Sequence, residues 1–178
     1  MSAQDSLQPL VDFYLGVCGD HADRHVDDVL AFDDDELESN HDYIQWLFPL
    51  RERSIAVPAS PVIDDSQVGV FRCNLFLQVR VVEAFDRMLA FYGLVRLPSS
   101  GDAHPIARLW TSADCRPSWI APRNHNLPRV TRILKSLRLL GLDSHARAFF
   151  RCLESLYREE REAIGEATFG FWVRAARG

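Results

Sequence analysis

Two short runs in this 178-residue chain bring together side chains that could do chemistry. The first is Asn40-His41-Asp42-Tyr43-Ile44-Gln45-Trp46-Leu47-Phe48-Pro49-Leu50. His41 and Gln45 are four residues apart and share one face of a helix, while Tyr43, Trp46 and Leu47 take another. A few polar groups among aromatics suit the wall of a ligand pocket. The same composition also suits a polar clip that fastens the proline loop to the core, because buried Gln and His must find hydrogen-bond partners.

The second run is Arg123-Asn124-His125-Asn126-Leu127-Pro128-Arg129-Val130-Thr131-Arg132. It leads into a strongly periodic helix, with Asn126 placed to cap it and Pro128 suited to its first turn. A helix start carries free N–H groups and the positive end of the dipole. Arg129 and Arg132 add guanidinium groups there, a combination that favours a carboxylate or phosphate. In the simpler alternative, Asn126 only caps and the arginines pair with acidic side chains elsewhere.

The candidate ligand-binding residues are therefore His41, Tyr43, Gln45, Trp46, Asn124, His125, Asn126, Arg129 and Arg132. Beside a binding module, two alternatives stand: an enzyme using His41 and His125 as general acid and base on an anionic substrate, or a protein-interaction scaffold. No nucleophile elbow or glycine-rich phosphate loop is present, so no catalytic residue is assigned.

No cofactor or metal is expected. His21 and His25 have helical spacing, but the intervening glutamate of a zinc motif is missing, and both read as solvated histidines. Asp33-Asp34-Asp35-Glu36 lacks the alternation of a calcium loop and reads as a helix cap. Cys18, Cys73, Cys115 and Cys152 are too scattered for a zinc cluster and read as reduced, mostly buried thiols of a cytoplasmic protein.

Charge is uneven. Residues 20–42 sum to -9, residues 107–138 to +6, and the whole chain to -5. The total argues against a nucleic-acid binder, while the basic segment leaves room for an anionic small molecule or peptide. The two segments either face each other or form solvated surfaces. Nineteen arginines against one lysine read as the codon bias of a GC-rich, bacterial genome. No signal peptide and no run of about 20 apolar residues is present. Oligomeric state is not legible.

The elements that must position these runs read as helices throughout. Expected helices cover residues 5–15 (with Leu7 inward), 25–32, about 35–46, 65–72 capped by Asp64, 74–92, 127–140, 144–158 and about 161–175. The 74–92 helix should start at Asn74 and turn Leu75, Val79, Val82, Leu89 and Tyr92 inward. Residues 49–63 read as loop and 98–122 as turn-rich, with a turn or two of helix at Ile106–Trp110. The strand-prone pieces, Ile55–Val57 and Val68–Phe71, are too short to build a sheet. The expected fold is all-α: one irregular domain over residues 1–178, with its core at about 10–175 and seven or eight helices.

Three blocks carry a family resemblance. Residues 40–50 (NHDYIQWLFPL), 91–93 (FYG) and 125–142 (HNLPRVTRILKSLRLLGL) are similar in content, order and spacing to signature blocks of the opioid growth factor receptor family. The similarity covers about residues 10–175. One departure is that Leu127-Pro128 stand where the family has Asn-Leu ahead of its Arg-Ile-Thr-Arg run. The resemblance implies a largely helical N-terminal module that binds a ligand or peptide. Vertebrate members are described as nucleus- and membrane-associated receptors for an enkephalin peptide that restrain growth, unrelated to the seven-helix opioid receptors. They continue into a long tail, which this 178-residue chain is expected to lack.

Overall fold

The computed structural model describes residues 8–98 and 104–177. The expectations at Leu7 and at Ser99–Gly101 lie outside them. The described elements are α1 (Pro9–Tyr14), α2 (Val26–Leu30), α3 (Asp34–Ser39), α4 (Ile44–Leu47), α5 (Asp65–Cys73), α6 (Leu75–Phe91), β1 (Leu94–Arg96), β2 (Ile106–Arg108), a 3-10 turn (Ala113–Cys115), α7 (Asn126–Leu139), α8 (Asp143–Glu159), α9 (Arg161–Ile164) and α10 (Glu166–Arg177). The largely helical expectation holds, with one small antiparallel hairpin added.

The chain divides into two compact units. Unit one holds residues 1–84 and Leu139–Gly141. Three of the helices that start in this unit, α3, α5 and α6, have strong caps. Asp33 accepts from the Glu36 N–H while Glu36 returns a carboxylate to the Asp33 N–H, and Asp64 and Gln67 do the same for α5. The Asn74 side chain accepts from the Leu77 N–H at the start of α6. These three caps are where the sequence placed them. Leu10, Phe13, Tyr14, Val29, Leu37, Tyr43, Leu47, Phe48 and Phe71 are fully buried in this unit. The Tyr14 hydroxyl donates to the Leu47 carbonyl, and its ring meets Phe71 edge-on at 5.1 Å. Gln78 donates to the Phe71 and Leu140 carbonyls at 2.7 Å each, which ties residues 139–141 into the unit.

Unit two holds residues 85–138 and 142–178. Its core includes Phe85, Met88, Tyr92, Trp119, Val130, Leu134, Leu137, Phe149, Leu153 and Trp172. Phe85 packs on Phe149 at 5.3 Å, and Trp119 donates to the Tyr92 carbonyl at 3.1 Å. Tyr157 of α8 and Phe169 of α10 stack at 4.0 Å.

Several expectations need correction. The 35–46 helix is two helices, because Asn40 turns to an extended conformation (ψ 132°) and ends α3. The 161–175 helix also divides, at Gly165, whose φ of +79° breaks the helical path. Ile106–Trp110 is not helical. Its first three residues form β2, and Leu97 N–H to Pro105 O and Leu109 N–H to Gly93 O extend the pairing at both ends. Leu89 and Tyr92 are buried as expected, but the first turns of α6 are out of phase: Leu75 and Val79 are 79% and 48% exposed, while Leu77, Val81, Ala84, Phe85 and Met88 are buried. Apolar residues surround the first turns of this helix, so periodicity alone could not choose the face. All four cysteines are free, yet Cys73 and Cys115 are exposed rather than buried. Among the described residues, no helix is long and apolar enough to cross a membrane.

Candidate functional site

In unit one, the 40–50 run sits at the end of a chain of polar contacts that starts at Asp20. The Asp20 side chain is wholly buried and accepts from the Ala22 N–H, the Arg24 N–H and Arg24 Nε at 2.8, 3.1 and 2.8 Å. Arg24 Nη2 also donates to Asp42 at 2.9 Å. The other Asp42 oxygen lies 3.0 Å from His21 Nε2, and Trp46 Nε1 donates to His21 Nδ1 at 3.1 Å. An indole N–H can only donate. Nδ1 is therefore the acceptor, and the imidazole proton sits on Nε2 facing Asp42. The His21 ring also lies nearly parallel to Trp46. Burial works to raise the Asp42 pKa, but the hydrogen bond and charge of Arg24, together with the hydrogen bond from His21, outweigh it and hold the carboxyl below its ordinary value.

His21 is exposed, as expected, but both its nitrogens are engaged. A base needs a free lone pair, and Trp46 occupies the one that Nδ1 would offer. Tyr43 and Gln45 are buried as well. Tyr43 donates to the Leu37 carbonyl at 3.1 Å, and Gln45 donates to Ser54 at 3.4 Å, leaving its Oε1 buried without a partner. His41 is exposed. No grouping of His, Cys, Asp and Glu among the described residues could hold a metal.

In unit two, the start of α7 is capped two residues earlier than expected. Asn124 Oδ1 accepts the Asn126 N–H at 2.8 Å, so Asn124 caps. Asn126, fully buried, instead accepts from Arg129 Nη1 at 3.0 Å. Arg129 is itself buried, at 6% exposure. Trp172 closes over this turn by donating to the Leu127 carbonyl at 3.3 Å. Asn124 and Arg132 are half-buried and His125 is exposed. The nine predicted residues therefore divide, His41–Trp46 in unit one and Asn124–Arg132 in unit two.

Four ion pairs of the two charged segments each lie within one unit. Asp27 meets Arg80 in unit one, while Arg108, Arg116 and Arg138 meet Glu159, Glu160 and Asp143 in unit two.

Sequence reasoning missed two features of unit two. A cleft of about 420 Å³ opens between β2 and α8, lined by Pro105–Arg108 and by Ala148, Arg151, Cys152, Ser155 and Leu156. Burial pushes the Cys152 thiol up to about 11, against a smaller opposing effect of Arg108, so this sulfur stays protonated. The second feature is a histidine pair. His145 stacks on His104 at 3.9 Å with Phe85 edge-on to it, and neither His145 nitrogen has a hydrogen-bond partner. Burial, then the charges of His104 and Arg96, lower the His145 pKa to about 4. The spacing Ala148-x2-Arg151-Cys152-x2-Ser155-Leu156 was a readable signal for one wall of the cleft. Nothing local marked residues 105–108 as the other.

The molecule is thus a mainly helical module whose two marked polar runs are built into its packing. The chain belongs to the opioid growth factor receptor family. Residues 11–178 match the model of the opioid growth factor receptor conserved region. The chain is 38% identical over 146 residues to the opioid growth factor receptor of Homo sapiens, which covers 80% of this chain and 21% of that protein. It is 36% identical over 152 residues to the Rattus norvegicus receptor, covering 80% of this chain and 24% of that protein. Similarity to opioid growth factor receptor-like protein 1 of Mus musculus is 36% over 112 residues, 63% of this chain and 23% of that protein. The chain therefore spans about a fifth to a quarter of the length of these curated relatives. No solved structure matches.

Proposed function

We propose that this chain is a receptor-type binding module that takes a peptide or an anionic small molecule and does not turn it over. The observation that carries this reading is the extent of the match. The conserved-region model matches residues 11–178, and the Homo sapiens protein named a receptor is similar over 80% of this chain and 21% of its own length. The site residues contribute at two depths. His41, His125, Asn124 and Arg132 reach the surface of their units and are the groups a ligand meets. Tyr43, Gln45, Trp46, Asn126 and Arg129 are buried and set the shape beneath them.

The test is a thermal-shift screen of the whole chain against anionic metabolites, nucleotides and enkephalin peptides. A ligand present at 100 times its Kd adds about 2.7 kcal/mol to the native state and raises the Tm. For an anionic ligand held at the α7 start, Arg132→Ala should remove about 1.5–3 kcal/mol of binding. Chemical turnover of any compound in the panel, or no shift across all of it, would overturn the reading.

A further inference from the structure

The cleft between β2 and α8 has a property that its residue types do not advertise: one wall is a bare strand edge. In the antiparallel register, Leu94, Val95 and Arg96 pair with Arg108, Ala107 and Ile106. The flanking bonds, Leu97 N–H to Pro105 O and Leu109 N–H to Gly93 O, fix the phase of the ladder. Hydrogen-bonded pairs alternate along such a ladder. Ala107 therefore turns its N–H and C=O toward β1, while Ile106 and Arg108 turn theirs to the opposite side. No hydrogen bond is made by those backbone groups among the described residues.

The cleft lies on that side. Successive side chains of a strand point to opposite faces, so a pocket against a face would be lined by alternate residues. This one is lined by four in succession, Pro105, Ile106, Ala107 and Arg108. The opposite wall is one stripe of α8, and its small residues Ala148, Cys152 and Ser155 leave the space open. At the rim, Arg108 is already engaged: it donates to Glu159 and lies over the Trp110 ring. Arg151 is exposed and has no ion-pair partner among the described residues, and the cleft lining holds no acid.

We infer that this cleft binds an extended peptide bearing a carboxylate. The peptide adds a third strand to the hairpin by pairing with Ile106 and Arg108, and its carboxylate is held by Arg151. The inference rests on the binding-module reading above and names where and how a peptide is taken. Main-chain pairing supplies affinity with little demand on sequence, and the guanidinium selects for negative charge. Three strand residues at about 3.3 Å each give about 10 Å of pairing, so the ligand contributes about three residues to the ladder.

The experiment follows the Ile106 and Arg108 amides of the full chain by NMR during titration with the free-acid peptide Ac-Val-Thr-Val-Glu. Both amides should shift and gain protection from hydrogen exchange. N-methylating the second valine should abolish binding. Arg151→Ala should weaken it at least tenfold, with partial recovery in Arg151→Lys, and a Gln-amide version of the peptide should lose as much on the native protein. Binding that leaves the two amides unmoved, or that ignores Arg151→Ala, would overturn the placement while the binding-module reading stands. No binding of the peptide at millimolar concentration also overturns it. Amides protected without peptide, in step with a concentration-dependent dimer, would mean that a second copy covers the edge. Failure of the broader reading would show separately, as the absence of any Tm shift across the ligand panel.

Discussion

The polar run of unit one and the β2–α8 cleft of unit two use similar materials for opposite ends. Around Trp46, a carboxylate, a guanidinium, an imidazole and an indole meet one another: Asp20, Arg24, Asp42, His21 and Trp46 form one continuous chain of bonds. Beside β2, the backbone groups of Ile106 and Arg108 have no hydrogen bond, and the Arg151 guanidinium no ion pair, among the described residues. A polar group that has its partners inside the fold holds structure together; one left facing a cleft can be satisfied by a ligand. Residue type does not distinguish the two cases, and the comparison can be broken by mutation.

Trp46→Ala should show the largest effect. It removes a side chain at 6% exposure that packs on Phe13 at 5.2 Å and donates to His21. A loss of about 3–5 kcal/mol is expected in urea unfolding. If stability falls by less than about 1 kcal/mol, the clip is not structural. Asp20→Ala and Arg129→Ala come next, at about 1.5–3 kcal/mol each, because both break charged hydrogen bonds inside their units. For Arg129 this places the first consequence of mutation on the fold, since the guanidinium is bonded to Asn126 beneath the surface.

A smaller effect is expected from pH. His145 is held neutral by burial, with its pKa lowered from 6.5 to about 4. Between those values the unfolded chain binds more protons than the native one. Stability should therefore fall as pH drops from about 6.5 to about 4. The histidine ring lies beside Phe85 and His104, with Arg96 and Asp86 acting on its charge. His145→Leu should flatten the Tm profile over that window, and an unchanged slope would remove His145 as its source. Asp42 adds to the acid side, because its lowered pKa confers stability that is lost as pH falls through the folded value.

The smallest expected change is Arg151→Ala, within about 0.5 kcal/mol in the free protein. Exposed and without an ion-pair partner among the described residues, it should be silent in unfolding and audible only in peptide binding. Destabilisation comparable to that of Arg129→Ala would erase the contrast between the two regions.

Local signals were legible where local physics decides. The caps at Asp33, Asp64 and Asn74 follow from short side chains reaching a backbone N–H three residues on. The inward line of α7, Val130, Leu134 and Leu137, follows from a clean 3.6-residue period. The cap of α7 was misplaced by two residues because Asn124 and Asn126 are chemically alike and only the backbone path separates them. The hairpin was missed because three-residue strands carry no periodicity to read.

What the sequence determined alone was the helical class, the position of most helices and membership of the family, since these rest on local propensity and on residues in order. Tertiary structure decided the fate of each polar group. His21 and Asp42 are 21 residues apart, and Arg108 and Glu159 are 51 apart, yet each pair is in contact. Only the folded path brings such residues within hydrogen-bond distance, and hydrogen bonding at a few ångströms separates a committed side chain from an available one. Position in the fold, rather than residue type, made Arg129 a brace and left Arg151 open.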